Sequence, residues 1–525
     1  MKWNLQIKTD KKSITKEITT DRIAHIQKEL HGRIQSVTAT TTLELSNTDA
    51  LFLNGYQTWT YDKEMKLDDS LRGLQYVPKK LINTYHFDRY GDYHFQAYPY
   101  KKGIFHGYTY MYIRKGNKYH LIASLDEDPG YTIFHIDHNI LTIERDCKGL
   151  EVDGNYPIFD LYEQIGSEDE VFDGWFEAMN IPKQTQPKLY GYSSWYNHYE
   201  NISTETIQED LEGCKKILEK GDLFQIDDGW QPCTGDWLEY DERKFPNGLK
   251  YETDRIHEAG FKAGIWVSPF LASIHSSLVK EHPDWLLKVD GKPWFVGCNW
   301  DGAYALDIDN KEVIQYITDV FDKIFNEWNF DLVKLDFLYA IAPFGSSKET
   351  RAYRMKRSIL FLHDLCKGHL VLGCGVPFCS TLGIFPYNRV GCDVGLDWND
   401  VWYMRFFHRE RVSTKHSLAN TIFRRQINTR GYLSDPDVFF LRDENLKLTQ
   451  EQKEMLITVD ALLGGVFLTS DNPSNYSEEQ IKQYKHYRHL STATNIQTSM
   501  MDTVLTIQYD LDGSTHTYTC ETKNL

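Results

Sequence analysis

Between residues 189 and 470, eight short apolar runs alternate with helical stretches, and this alternation restricts the fold more than any other feature of the chain. The runs are "LYGYSSW", "LFQIDDGW", "FKAGIWVSPF", "FDLVKLDFLYA", "HLVLGCGVP", "NRVGCDVG", "GYLSDPDVFF" and "GGVFLTS". Each has the length of a strand and reads as buried. After the first, "STETIQEDLEGCKKILEKGD" sets Ile207, Leu211, Cys214 and Leu218 at helical spacing, with Ser203 or Thr204 to cap its start and Gly221 to end it. Eight strands in βα alternation predict a (β/α)8 barrel over residues 186–478. A doubly wound sheet usually carries a Gly-rich phosphate turn, and neither GxGxxG nor GxxxxGK[ST] occurs.

The flanks read differently. Up to residue 180, segments such as "SVTATTTLEL", "KYHLIASL" and "NILTIERD" alternate, are rich in β-branched residues and are broken by turn formers, which predicts an N-terminal β-sandwich over 1–180. "NIPKQTQPK" then resembles a linker. After about 478 the helical pattern fades, and "VLTIQYDLDGSTHTYTCE" predicts a hairpin turning at Asp512-Gly513 within a small C-terminal β domain, 479–525. The chain is therefore expected to be a multidomain α/β protein.

Composition narrows the partners. A formal charge of -17 argues against nucleic acid and anionic membranes, which need clustered Lys and Arg. No apolar run approaches the roughly 18 residues of a membrane span, and the first residues have no apolar leader segment. The nine cysteines are scattered without zinc-ribbon spacing, as free thiols in a reducing cytoplasm would be. Aromatic residues make up 14% of the chain, and aromatic faces stack on the apolar patches of sugar rings, so a carbohydrate ligand is one candidate.

In a barrel of this kind, chemistry sits at the C-terminal ends of the strands. Asp227 and Asp228 follow strand two, Asp336 follows strand four, Asp393 lies near strand six, and Asp435 and Asp437 lie near strand seven. Any one Asp is more often a helix cap than a catalyst, but the set, interleaved with Trp195, Trp230 and Trp266, suits an acid/base pocket for a polyol. Lys334 and Asp336 are two apart in one strand and so point to the same face, where two charges in an apolar run must be paired or used. Metal hydrolysis is disfavoured, because no HxH stands near strand one and "DID" at 307–309 lacks the rest of a calcium loop. Glycoside hydrolysis needs only two carboxyls and hydroxyl-binding groups, with no cofactor.

Six ordered motifs, "FQIDDGWQ", "GIWVSPF", "VKLDFLYA", "LGCGVPF", "NRVGCDVGLDW" and "SDPDVFFLR", resemble those of the family 36 glycoside hydrolases, the α-galactosidases or melibiases, in their shorter bacterial form. The resemblance covers about 190–475 and extends to "NGYQTWT", which is similar to a Trp-bearing loop reaching the site from the N-terminal domain. It implies a retaining exo-α-galactosidase acting on melibiose- or raffinose-type oligosaccharides, with Asp336 as nucleophile and Asp393 as acid/base. It further implies that Asp227 and Asp228 bind the O4 and O6 hydroxyls. Lys334 would bind ring hydroxyls and keep Asp336 ionised, and Arg389 would contact O2 or O3. Trp195, Trp266 and Trp59 would wall the pocket, and Cys374-Gly375 would lie by the C2 hydroxyl. "GCGVPF" departs from the "CSGGGR"-like motif of many members, which leaves α-N-acetylgalactosaminidase activity open. A raffinose-synthase-like transferase and a non-catalytic sugar-binding barrel are the other readings. Some members of the family assemble, so a homo-oligomer also stays open.

Overall fold

The computed structural model describes residues 1–525. Its centre is a parallel sheet of short, buried strands: Leu189–Ser193, Leu223–Ile226, Lys262–Val267, Leu332–Leu335, Leu370–Gly373, Tyr387–Arg389, Leu433–Asp435 with Val438–Phe439, and Val466–Thr469, numbered one to eight here. Neighbours pair in sequence order, and strand one pairs with both strand two and strand eight. Strand seven breaks at Pro436-Asp437, since proline has no N–H for a ladder and Asp437 takes a positive φ of 86°. Its first piece pairs with strand six and its second with strand eight, so the two ends of the sheet are adjacent stretches of one segment and the sheet curls back on itself.

Local chemistry explains most element boundaries. Ser203 and Thr206 form a reciprocal capping box for the helix Thr204–Cys214. That helix stops before the Gly221 expected from sequence, because the chain tightens beyond Cys214: Lys216 and Ile217 donate to carbonyls three residues back. Conversely, a helix occupies Glu478–Leu490, where the pattern had faded. Only Tyr484 and Leu490 are buried in it, so polar residues on nearly every face hide its periodicity. It packs on the helix Gln450–Leu463.

Strands Thr494–Met501, Val504–Leu511 and Ser514–Glu521 form an antiparallel sheet, one strand more than the expected hairpin. Its second turn is the two-residue Asp512-Gly513, both at positive φ as a type I′ turn requires. Near the N-terminus, ten antiparallel strands lie in two faces joined by the long strand Ile23–Thr42. The first part of that strand pairs with Glu151–Gly166 and the rest with Lys2–Thr9 and Ile140–Arg145. The change of partner falls just after Gly32, whose φ of +99° favours glycine and where a Cβ would push against the Asp10 carboxylate.

The N-terminal unit is welded to the barrel. Trp175, on the helix Glu168–Ala178, is fully buried in a cluster shared with barrel side chains, and its Nε1 donates to the Ser124 carbonyl at 2.9 Å. Residues 54–62 cross onto the barrel mouth, where Thr58 N donates to the Val376 carbonyl and Phe378 N to the Tyr56 carbonyl. The buried Asp62 carboxylate locks this loop: it accepts from Arg424 at 2.5 Å, Arg409 at 2.6 Å and Gly55 N at 2.6 Å. Arg424 also donates to the carbonyls of Thr58 and Val390, both at 2.7 Å. Asp62→Ala is expected to cost about 3–5 kcal/mol in urea unfolding, because it leaves two guanidinium groups buried beside no carboxylate.

Candidate active site

Every expected carboxylate sits at the C-terminal mouth of the curled sheet. Asp227 ends strand two and accepts from Lys334 Nζ at 2.9 Å and Gln225 Nε2 at 2.6 Å, while its own N–H donates to Ser194 Oγ at 2.9 Å. Asp228 accepts from Gln231 Nε2 at 2.6 Å and from the indole N–H of Trp300 at 2.9 Å. Burial pushes the Asp228 carboxyl up to about 7, against the two hydrogen bonds it receives.

Asp336 follows strand four. Its Oδ2 accepts from Trp266 Nε1 at 3.0 Å and its Oδ1 from Phe337 N at 2.8 Å. Phe337 lies in the left-handed region, φ 54°, as the chain turns sharply to deliver that N–H. Burial raises the Asp336 pKa, Lys334 opposes this, and Asp393 adds to the rise. The charge of Lys334 does favour ionised Asp336, as expected from sequence, but its ion pair is with Asp227 and burial outweighs its field at Asp336. Burial likewise opposes the charge on Lys334, but Asp227 and Asp336 hold its pKa above the ordinary value.

Arg389 lies at the end of strand six. Its guanidinium is buried and bonds three carboxylates, Asp435 at 2.8 Å, Asp437 at 2.8 Å and Asp393 at 2.9 Å. In this arrangement it holds Asp393. Asp393 itself stays open, with 35% of its side chain exposed.

Asp336 and Asp393 line one cavity of about 420 Å³, together with Trp59, Phe337, Tyr90 and His408. Trp59 arrives from the N-terminal loop. Its Nε1 donates to Cys374 Sγ at 3.4 Å, and its ring stands edge-on to Phe337 at 4.9 Å. Gly375 has φ +54°, and a Cβ there would meet Trp59 at 2.8 Å and Asp336 Oδ1 at 3.1 Å, so this wall admits no side chain. Trp266 is buried behind Asp336, to which it donates, and does not itself line this cavity, whereas Trp230 is core and donates to the Trp266 carbonyl at 2.9 Å. Trp195 is half-buried beyond strand one, against Tyr199 at 5.2 Å, and does not line this cavity.

Sequence reasoning missed Trp300, Tyr90, Asn299, His408 and Glu410. They lie on irregular segments between strands, where no periodicity marks them, and only their meeting at the mouth singles them out. No group of three or more His, Cys, Asp or Glu side chains is arranged to hold a metal ion. Two carboxyls, one fixed by an indole and a backbone N–H and the other by a guanidinium, can act as nucleophile and proton carrier on a ligand in the shared cavity.

Comparison with known proteins agrees with this geometry. Residues 179–371 match the family model described as Melibiase. Alpha-galactosidase Mel36A of Lactobacillus acidophilus is 35% identical over 196 residues, 35% of this chain and 25% of that protein. Alpha-galactosidase AgaA of Geobacillus stearothermophilus is 32% identical over 163 residues, 30% of this chain and 21% of that protein. These matches span only about a quarter of the relatives' own length. The structure of TtGalA, an α-galactosidase from Thermus thermophilus in complex with p-nitrophenyl α-D-galactopyranoside, aligns with a TM-score of 0.72 at 23% identity. That alignment covers 94% of this chain and 98% of the other, and at such identity it shows a shared fold. The matched segment 179–371 carries Asp227, Asp228, Lys334 and Asp336.

Burial of Asp228 has a measurable consequence. An ordinary Asp titrates near about 4, so between that pH and about 7 the folded chain keeps a proton that the unfolded chain has released. The group's stabilising contribution is therefore complete below about pH 4 and is lost as pH rises through about 7. Urea unfolding of Asp228→Asn at pH 5 and pH 7.5 should show a shallower decline than the native chain, by about 1–3 kcal/mol.

Proposed function

We propose that this chain, which matches the Melibiase family model over residues 179–371, is a retaining exo-α-galactosidase that removes terminal α-linked galactose from oligosaccharides. The observation that carries this reading is that Asp336 and Asp393 line one cavity at the ends of strands four and six. The α-galactosidase names of the relatives, and the galactoside bound in TtGalA, support the choice of sugar.

In this reading a carboxylate oxygen of Asp336 attacks the anomeric carbon while Asp393 gives its proton to the departing glycosidic oxygen. The product is a β-galactosyl ester on Asp336. Asp393, now a carboxylate, takes a proton from water, which attacks the same carbon and frees the sugar with its original anomeric configuration. The hydrogen bonds from Trp266 and Phe337 position the nucleophile, and Arg389 positions the proton carrier. Asp227 and Asp228 accept from the O4 and O6 hydroxyls. An epimer with equatorial O4 would forgo that hydrogen bond, which sets the preference for galactose. Lys334, charged by its pair with Asp227, donates to ring hydroxyls, Trp266 and Trp59 form walls, and Cys374-Gly375 close the side next to Asp336.

We divide the chain into an N-terminal β unit over 1–180, the barrel from 186 to 478 with the helix to Leu490 attached, and the terminal sheet. All nine cysteines are free, which supports a cytoplasmic setting, and no helix is long and apolar enough to cross a membrane. The test is hydrolysis of p-nitrophenyl α-D-galactoside. Asp336→Ala should lower kcat by about 10⁴-fold or more, and added azide should then yield β-galactosyl azide. A native chain inactive on this substrate, or an Asp336→Ala variant of full activity, rejects the assignment.

A further inference from the structure

We propose that His408 is a specificity-determining residue that recognises the departing sugar in the cavity beyond Asp336 and Asp393. The proposal rests on the α-galactosidase reading above and names the residue that reads its leaving group. Asp227, Asp228 and Lys334, the polar groups assigned to galactose, do not line this cavity, whereas both catalytic carboxyls and the wall residue Trp59 do. The space therefore lies on the other side of the scissile bond, where the departing group must sit.

His408 comes from the segment that follows Asp393. Its ring lies against Tyr90 at 5.2 Å and 10°, and against Phe87 at 5.5 Å and 26°, so two aromatic faces fix its plane. Only 7% of the side chain is exposed, yet neither ring nitrogen has a hydrogen-bond partner in the chain. Nδ1 is shut away 3.7 Å from Glu410 Oε2, beyond hydrogen-bond reach. Glu410 is itself engaged, accepting from Thr60 Oγ1 at 2.9 Å and the Tyr93 hydroxyl at 2.7 Å. This leaves Nε2 as the nitrogen free to meet a ligand in the cavity.

A buried polar ring with no partner is costly unless something else satisfies it, and a ring held this rigidly loses little freedom when a ligand does so. Asn299 stands on the same cavity. Its Oδ1 accepts from the Tyr90 hydroxyl at 2.5 Å, and its Nδ2 bonds nothing in the chain. An imidazole nitrogen and an amide N–H₂ set among aromatic faces suit a ring bearing hydroxyls, and an alkyl or plain aryl aglycone would leave both unanswered. Earlier in the same segment Trp402 is 71% exposed, with Tyr403 and Phe406 also on the surface, which offers stacking faces to sugars more distant from the bond.

The experiment compares kcat/KM for melibiose and for p-nitrophenyl α-D-galactoside in the native chain, His408→Phe and His408→Gln. Phenylalanine keeps the stack on Tyr90 and removes the nitrogen. It should lower the melibiose value about tenfold more than the p-nitrophenyl value, the effect of one lost hydrogen bond, and glutamine should restore most of the difference. If His408→Phe does not fold, Asn299→Ala carries the same comparison and the same expected direction. Equal losses on the two substrates, or no loss on melibiose, overturn the proposal. A native chain inactive on both substrates overturns the α-galactosidase reading and this inference with it.

Discussion

A single guanidinium governs the mouth of this barrel. Arg389 is buried among Asp393, Asp435 and Asp437, and no one of these carboxylates could be placed there without it. Strand seven breaks at Pro436-Asp437, and the break is what turns Asp437 toward Arg389. Tyr196 donates to Asp437 at 2.5 Å and Val394 N does so at 2.8 Å, so the ion cluster also ties the first and sixth strand ends together. Closure of the sheet and placement of Asp393 are thus one electrostatic problem with one solution. The Lys334–Asp227 pair solves the same problem between strands four and two.

The second dependence runs across the domain seam. Trp59 is near Cys374, Gly375 and Phe337 only because Asp62, clamped by Arg424 and Arg409, holds its loop down. The pocket wall is consequently made by residues more than 300 positions apart in sequence. The N-terminal β unit therefore completes the pocket as well as covering the barrel, and its main aromatic helix shares the barrel's hydrophobic cluster.

Much of this was legible beforehand. The eight apolar runs identified the barrel strands, because a parallel strand covered on both faces must be apolar along its length. Asp227, Asp228, Asp336 and Asp393 could be placed at the strand ends by position alone, and Asp512-Gly513 announced its turn by residue type. Where reading failed, the reason is specific. The helix Glu478–Leu490 buries too few apolar residues to show a period. The Lys334–Asp227 pair could not be read from sequence, because adjacency along a strand says nothing of the facing strand, from which Asp227 reaches it.

Sequence by itself determined the order of strands and helices, the identity of the charged residues at the strand ends and the absence of a phosphate-binding turn, since these depend on local pattern and residue type. Tertiary structure alone decided which charge meets which, that Arg389 holds Asp393, that Trp300 bonds Asp228, and that His408 stands unpartnered beside the carboxyls. Those relations join loops far apart in the chain, and only the closed sheet and the clamped seam bring them within bonding distance.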